Sequence, residues 1–156
     1  MIFTKTVILC LVMHMKGSKE LLSSILKSTQ MGQVGIRSVM DENVRPGLRT
    51  ALESQLREYD AIEREAQNIA TQRGWELQDL PSMTKIMSEM MSKMKLIGGN
   101  IDSKIAGMMI QGNTRGMITG LKNLHQFNRQ DTQITTLSQK LLDCETANIR
   151  QMQGFL

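Results

Sequence analysis

The stretch IDSKIAGMMIQGNTRGMITGLKNLHQF, residues 101–127, carries a glycine at every fourth position from Gly112 through Gly116 to Gly120. Residues four apart lie on the same face of an α-helix, and a glycine in a helix interior costs roughly 1 kcal/mol relative to alanine. The spacing therefore predicts a helical face without side chains, against which another backbone packs closely. Apolar residues on both sides of this face predict a central place for the helix in a bundle: Ile105, Met108, Met109, Met117, Ile118, Leu121 and Leu124.

The first helix is predicted from Ser18, as its N-terminal cap, to about Met40. Apolar residues recur along it at helical spacing, and Gly32 and Gly35 thin its second half. We expect this thinned half to be the partner of the glycine face, with Gly32 as a further close-packing position.

Two more long helices flank the middle of the chain. One is predicted at about 45–73, with leucines three and four residues apart, Pro46 in its first turn and Gly74 as its C-terminal cap. The other is predicted from Asp131 or Thr132 to about Gln153. The only tryptophan, Trp75, follows the first of these and is expected to cover the end of the bundle.

Methionines repeat four and three residues apart between these helices, in the manner of a heptad seam. Because methionine adapts to irregular contacts, the seam is either a core stripe or a possible partner face made of Met83, Met87, Met90 and Met94. Residues 98–100, Gly-Gly-Asn, are predicted to separate this short methionine-rich helix in the crossover from the glycine-bearing helix, although one long kinked helix over 82–127 stays open as an alternative.

Length and composition indicate one all-α domain. The chain has 156 residues, 3% aromatic residues and two prolines, which is typical of helices rather than strands. Residues 1–15 are interpreted as a leader or extension outside the core and residues 16–156 as the bundle domain. The apolar run 7–13 is shorter than the ~20 residues that span a membrane, so no membrane span is predicted, although a membrane tether stays open as an alternative.

The two cysteines, Cys10 and Cys144, form no disulfide framework or metal-ligand pattern. They favour a reducing compartment, and we expect a cytoplasmic protein. The net charge of +4 is uneven: residues 83–129 hold seven basic and two acidic side chains. These bases do not follow one helical stripe or alternate with aromatic residues, so nucleic-acid binding is disfavoured.

A helical bundle invites a test for a carboxylate-bridged pair of metal ions, which requires Glu-x-x-His on two helices. Neither histidine has a glutamate three residues before it. Asparagine takes that place in Glu65-x-x-Asn68 and Glu145-x-x-Asn148, so we predict no metal, no cofactor and no catalytic residues. Polar residues in the bundle are instead expected to hydrogen-bond between helices, and the candidates for this layer are Gln30, Gln55, Tyr59, Gln111 and Glu145.

The chain resembles the uncharacterised ferritin-like four-helix-bundle proteins of bacteria. The matching pieces are Gln30-Met31-Gly32, Leu52-Glu53-x-x-Leu56-x-x-Tyr59, Met109-Ile110-Gln111-Gly112 and Leu141-Leu142-x-x-Glu145-x-x-Asn148. A shorter likeness joins Pro46-Gly47-Leu48-Arg49 and Arg73-Gly74-Trp75 to spore coat proteins of the ferritin-like class. The resemblance implies an up-down bundle, and its packing motifs imply no activity.

The sequence therefore predicts a non-enzymatic structural or interaction protein that self-associates or binds a protein partner. Two alternatives stay open. One is a metal-binding ferritin-like protein with a degenerate carboxylate site at Glu58, Glu65 and Glu145, and the other is a component of a spore coat or envelope assembly.

Overall fold

The computed structural model describes residues 17–78, 80, 82–127 and 131–156, and within these ranges it is all-helical with no strand. The predicted extension 1–15 and Cys10 lie outside the described residues. The helices are α1 (Ser18–Val39), α2 (Pro46–Gln72), α3 (Met83–Lys95), α4 (Ile101–His125) and α5 (Thr132–Gln153).

Local signals set the helix ends. Pro46 opens α2, and Gly74 follows it with a φ of +66°, a conformation that favours glycine. The Asn100 side chain accepts a hydrogen bond from the Ser103 backbone N–H at 3.0 Å and so begins α4. Asp131 caps α5 in the same way. The predicted cap at Ser18 is wrong, because Gly17 occupies the cap position and no side chain caps the helix.

The four long helices pack in a ring in the order α1, α2, α5, α4, and α1 also touches α5 across the middle. The most extensive contact joins α4 to α5, and the next joins α1 to α2. The short helix α3 lies on α1 and touches α4.

Contacts between helix ends fix the directions of the helices. Arg73, just after α2, forms an ion pair with Asp131, just before α5, so these two helices are antiparallel. Arg45, just before α2, pairs with Asp102 in the first turn of α4, so α2 and α4 are parallel. Gln30 and Gln33 of α1 bond to Glu63 and Asp60 of α2 in reverse order, so α1 and α2 are antiparallel as well. Direction therefore reverses from α1 to α2 and from α4 to α5, whereas the connection through α3 returns the chain to the end of the molecule where α2 began.

Each long helix buries an apolar stripe in one shared core. Among its fully enclosed side chains are Leu22, Leu52, Ile62, Ile105 and Leu137. The partly buried side chain of Trp75 packs against this core. The guanidinium of Arg73 lies 5.1 Å from the centroid of the Trp75 ring. None of the helices in the described ranges has the length and apolar character needed to cross a bilayer.

Candidate functional site

Three polar side chains meet at the middle of the long helices. The Tyr59 hydroxyl of α2 donates a hydrogen bond to Asn113 Oδ1 of α4 at 2.7 Å, and Asn148 Nδ2 of α5 donates to the same oxygen at 3.4 Å. Asn113 Nδ2 in turn donates to the backbone carbonyl of Met109 at 2.7 Å. This group, Tyr59 with Asn113 and Asn148, is called the midpoint layer below, and it links α2 to α4 across the core.

A notch in α1 makes room for the Tyr59 ring. A Cβ atom at Gly32 would lie 2.5 Å from Tyr59 Cζ, so no side chain fits at this position. Tyr59 is 1% exposed, and burial, with smaller contributions from the nearby Glu145 and Cys144, raises the pKa of Tyr59 above its usual range. The hydroxyl is therefore a neutral donor to Asn113.

Glu145 lies beside this layer in an environment that does not satisfy its carboxyl group. It is 2% exposed, and its Oε2 atom accepts no hydrogen bond within the described part of the chain. A Cβ atom at Gly116 would lie 2.0 Å from Glu145 Oε1, so the glycine admits the carboxyl group. Burial raises the pKa of Glu145 to about 8, and most molecules therefore hold this side chain neutral at pH 7.

The glycine face is divided between two environments. Gly116 and Gly120 lie against Glu145 and Leu142 of α5, whereas a Cβ atom at Gly112 would meet no atom of the described residues within 4 Å. The prediction of close packing at Gly112 is therefore wrong. The partner helix is α5 and not α1, whose Gly32 is instead occupied by Tyr59.

Two of the glutamine candidates have different environments. Gln30 is buried, and its Nε2 donates to Glu63 Oε1 at 3.2 Å. Its neighbour Gln33 donates to Asp60 and Glu63 at 2.8 and 2.7 Å and completes an α1–α2 contact that the sequence analysis did not identify. Gln111 faces solvent, so its prediction as a layer residue is wrong.

Gln55 belongs to a groove between α2 and α5. Its Nε2 donates to Gln151 Oε1 at 2.7 Å, while its own Oε1 is buried without a partner among the described residues. The groove has a volume of about 380 Å³ and its lining residues are Ser54, Gln55, Glu58, Cys144, Ala147, Asn148 and Gln151. Burial raises the pKa of Cys144 to about 11, so its thiol stays protonated and is a poor nucleophile.

The carboxylates of the metal-site alternative are dispersed. Glu65 pairs with Lys140 at 2.8 Å, Glu58 is exposed at the groove, and Glu145 is buried. Across residues 17–78, 80, 82–127 and 131–156, no three side chains of His, Cys, Asp or Glu form a group that could hold a metal ion.

Part of the methionine seam of α3 is buried against the bundle. Met94 is 4% exposed, and the Met90 sulfur lies 3.7 Å from the position that a Cβ of Gly35 would take. Met87 is half-buried, while nothing is described for the side chain of Met83. Met94 is therefore a core residue, which agrees with the core-stripe alternative, and the partner-face alternative is wrong for this residue.

The solvent-facing side of α4 has a different character from the one predicted. Ile118 and Leu121, expected to lie inward, are 50% and 46% exposed. Arg115 and Lys122, seven residues apart, are exposed beside them, and Lys104 lies about three turns earlier on the same side. Three basic residues of α4 therefore do share one helical stripe. The surface formed by Lys104, Arg115, Ile118, Leu121 and Lys122 is called the outer α4 face below.

The layer contains two residues that the sequence analysis did not select. Asn148 was noted only in the pattern with Glu145, and Asn113 was not singled out. Asn113 lies four residues after Met109 and seven after Ala106, both on the buried side of α4, and this spacing was the available signal.

Compared with known protein families, with curated proteins and with solved structures, the chain has no match, so the ferritin-like family stays a prediction.

Proposed function

We propose that this chain is a non-enzymatic helical-bundle protein that acts as a structural or interaction module. The midpoint layer carries the proposal. Helical bundles build cofactor and metal sites from inward-facing polar side chains at this depth, and here Tyr59, Asn113 and Asn148 are hydrogen-bonded to one another. Such bonds fix the register of three helices.

The directions of the helices support a ferritin-like arrangement. Bundles of that class have two antiparallel pairs joined by one long crossover. The parallel course of α2 and α4, with α3 between them in the chain, fits this pattern. Within the proposal, α3 is the crossover helix and Met94 anchors it to the core.

Metal analysis tests the non-enzymatic role against the metal-binding alternative. Protein purified without chelator is expected to contain iron and manganese well below one ion per chain. A stoichiometric, tightly held metal whose retention is lost in the Glu145→Gln variant would overturn the proposal. The Glu53→Gln variant, which changes an exposed carboxylate on α2, is the matched control.

The outer α4 face is the proposed interaction surface, and its occupant is a protein surface rich in carboxylates. The exposed charges of α4 are basic, because its only acidic residue, Asp102, is buried and paired with Arg45. A twofold dimer places the same patch of two copies together, and pairing two basic faces would be repulsive. Apolar contact through Ile118 and Leu121 with charge attraction at Arg115 and Lys122 fits an acidic amphipathic helix.

A synthetic acidic helix of Glu and Leu heptads serves as the probe. Fluorescence anisotropy is expected to show binding that weakens with salt and falls about tenfold or more when Arg115 and Lys122 are both changed to glutamate. The matched control changes two exposed lysines of α3, Lys85 and Lys93, in the same way. Equal loss in both double variants would contradict the assignment, as would concentration-dependent dimers that the α4 variant abolishes.

A further inference from the structure

The groove between α2 and α5 lies apart from the outer α4 face and has an unusual balance of hydrogen-bonding groups. Its lining contains one carboxylate, Glu58, and no lysine, arginine or histidine. The thiol of Cys144 is neutral because burial raises its pKa. The fixed charge at the groove is therefore negative.

Two of the three amide side chains that line the groove, those of Gln55 and Asn148, use their N–H donors inside the protein. Gln55 Nε2 donates to Gln151 Oε1 at 2.7 Å, and Asn148 Nδ2 donates to Asn113 Oδ1 at 3.4 Å and contacts Cys144 Sγ at 3.7 Å. The acceptor Gln55 Oε1 has no partner within the described part of the chain, although Gln55 is 1% exposed. A buried amide oxygen without a hydrogen bond is costly, so this position favours a ligand that brings an N–H donor.

We propose that the groove binds the primary ammonium group of a small organic cation. Such a group has three N–H donors and one positive charge, which match Gln55 Oε1 and the Glu58 carboxylate. Its alkyl portion contacts Ala147 and Cys144, and the volume of the groove, about 380 Å³, lies in the range of small-molecule sites. Because the Gln55 oxygen is enclosed in this structure, the proposal requires the exposed Gln151 side chain, which accepts from Gln55 Nε2, to rotate when the ligand binds.

The alternative orientation of the Gln55 amide gives the opposite prediction. An unpaired Nε2 in place of the oxygen would favour an anion such as a carboxylate. The Glu58 carboxylate at the groove repels an anion, and for this reason the cation is the assigned ligand. The test therefore includes ligands of both charges.

NMR titration of the ¹⁵N-labelled full chain provides the test, with n-butylammonium chloride, tetramethylammonium chloride and sodium butyrate at constant ionic strength. Butylammonium is expected to give saturating shifts confined to residues 54–58 and 144–151, with a Kd on the order of millimolar. Tetramethylammonium has the same charge without N–H donors, so its binding is expected to be about tenfold weaker or absent. Glu58→Gln and Gln55→Leu are expected to weaken butylammonium binding by about tenfold, whereas Glu53→Gln leaves it unchanged.

Each contrary result overturns the proposal. These results are linear shifts without saturation, equal binding of tetramethylammonium, preference for butyrate, or unchanged affinity in the Glu58→Gln variant. Should Gln55→Leu fail to fold, Glu58→Gln decides the outcome, because it changes an exposed side chain and is checked by its thermal melting curve.

Discussion

Two neighbouring turns of α4 contain the same residue in opposite environments. Gly112 faces open space, whereas the next glycine, Gly116, is so close to Glu145 that an added Cβ would lie 2.0 Å from the carboxyl oxygen. One more turn along, Gly120 lies against Leu142. Gly112 therefore only lowers the stability of the helix, whereas Gly116 makes room for the buried carboxyl group of Glu145.

Helix geometry explains the difference. With 3.6 residues in a turn, a step of four residues rotates the side-chain direction by about 40°, so Gly112 and Gly120 point about 80° apart. The face is therefore a diagonal strip, and a neighbouring helix contacts only part of it. Gly116 and Gly120 lie on the part of the strip that faces Glu145 and Leu142 of α5, whereas Gly112 does not.

The largest expected effect concerns the ionisation of Glu145 in the notch of Gly116. The carboxyl has its usual pKa near 4.5 in the unfolded chain and a pKa raised to about 8 in the folded protein. Between about pH 4.5 and pH 8 the folded state binds more protons than the unfolded state, because Glu145 is protonated only in the fold. The contribution of the neutral carboxyl to the free energy of unfolding is therefore complete below about pH 4.5 and is lost as the pH rises through 8. The loss over the whole pH range amounts to roughly 5 kcal/mol, and the Glu145→Gln variant does not undergo this loss, because its side chain does not ionise.

Urea denaturation of both proteins from pH 5 to 9 measures this effect. The variant is expected to exceed the wild type in stability at pH 9 and to approach it at pH 5. Parallel stability curves of the two proteins over the whole range would show that Glu145 ionises normally in the fold.

The second effect uses the close-contact glycine of α1. In Gly32→Ala the new methyl group lies against the Tyr59 ring, which is rigid and hydrogen-bonded to Asn113, so we expect a loss of about 3 kcal/mol in unfolding free energy. Gly35→Ala is the matched control, because its Cβ makes only ordinary contacts, the shortest being 3.7 Å. Equal stability of the two variants in thermal and urea denaturation would mean that Tyr59 does not occupy the notch.

A smaller loss, about 2 kcal/mol, is expected for Gly116→Ala. The better helix propensity of alanine offsets part of the clash with Glu145. The same substitution in a Glu145→Ala background is expected to cost little, since the clashing carboxyl is then absent. A penalty that persists in this background, measured by a double-mutant cycle, would place its cause elsewhere.

The smallest effect has the opposite sign. Gly112→Ala is expected to stabilise the protein by about 1 kcal/mol, since alanine is the better helix former and open space surrounds the position. The measurement is the shift of the urea midpoint at constant slope. A destabilised Gly112→Ala variant would remove the contrast with Gly116.

Much of the secondary structure was predictable because its signals are local. Pro46, Gly74, Asn100 and Asp131 mark helix ends that depend on a few adjacent residues. The separation of α3 from α4 likewise follows from the Gly-Gly-Asn turn, where Gly99 has a φ of +102°.

The candidate site was predictable only in part. Tyr59, Gln55 and Glu145 were identified as buried polar residues, whereas Gln111 was placed inside although it faces solvent. Ile118 and Leu121 were also placed inside, since an apolar residue near the edge of a helical stripe does not reveal its side. The width of the buried stripe depends on which neighbours the helix has.

By itself, the sequence determined the all-α class, the extents of the long helices and the absence of a Glu-x-x-His pair, because periodicity, capping residues and ligand spacing are properties of adjacent positions. Only the tertiary structure decided that Gly116 faces Glu145, that Tyr59 lies against Gly32, and that Asn113 joins Tyr59 to α5. These contacts link residues that are 27 or more positions apart. They depend on how whole helices cross, which no local pattern specifies.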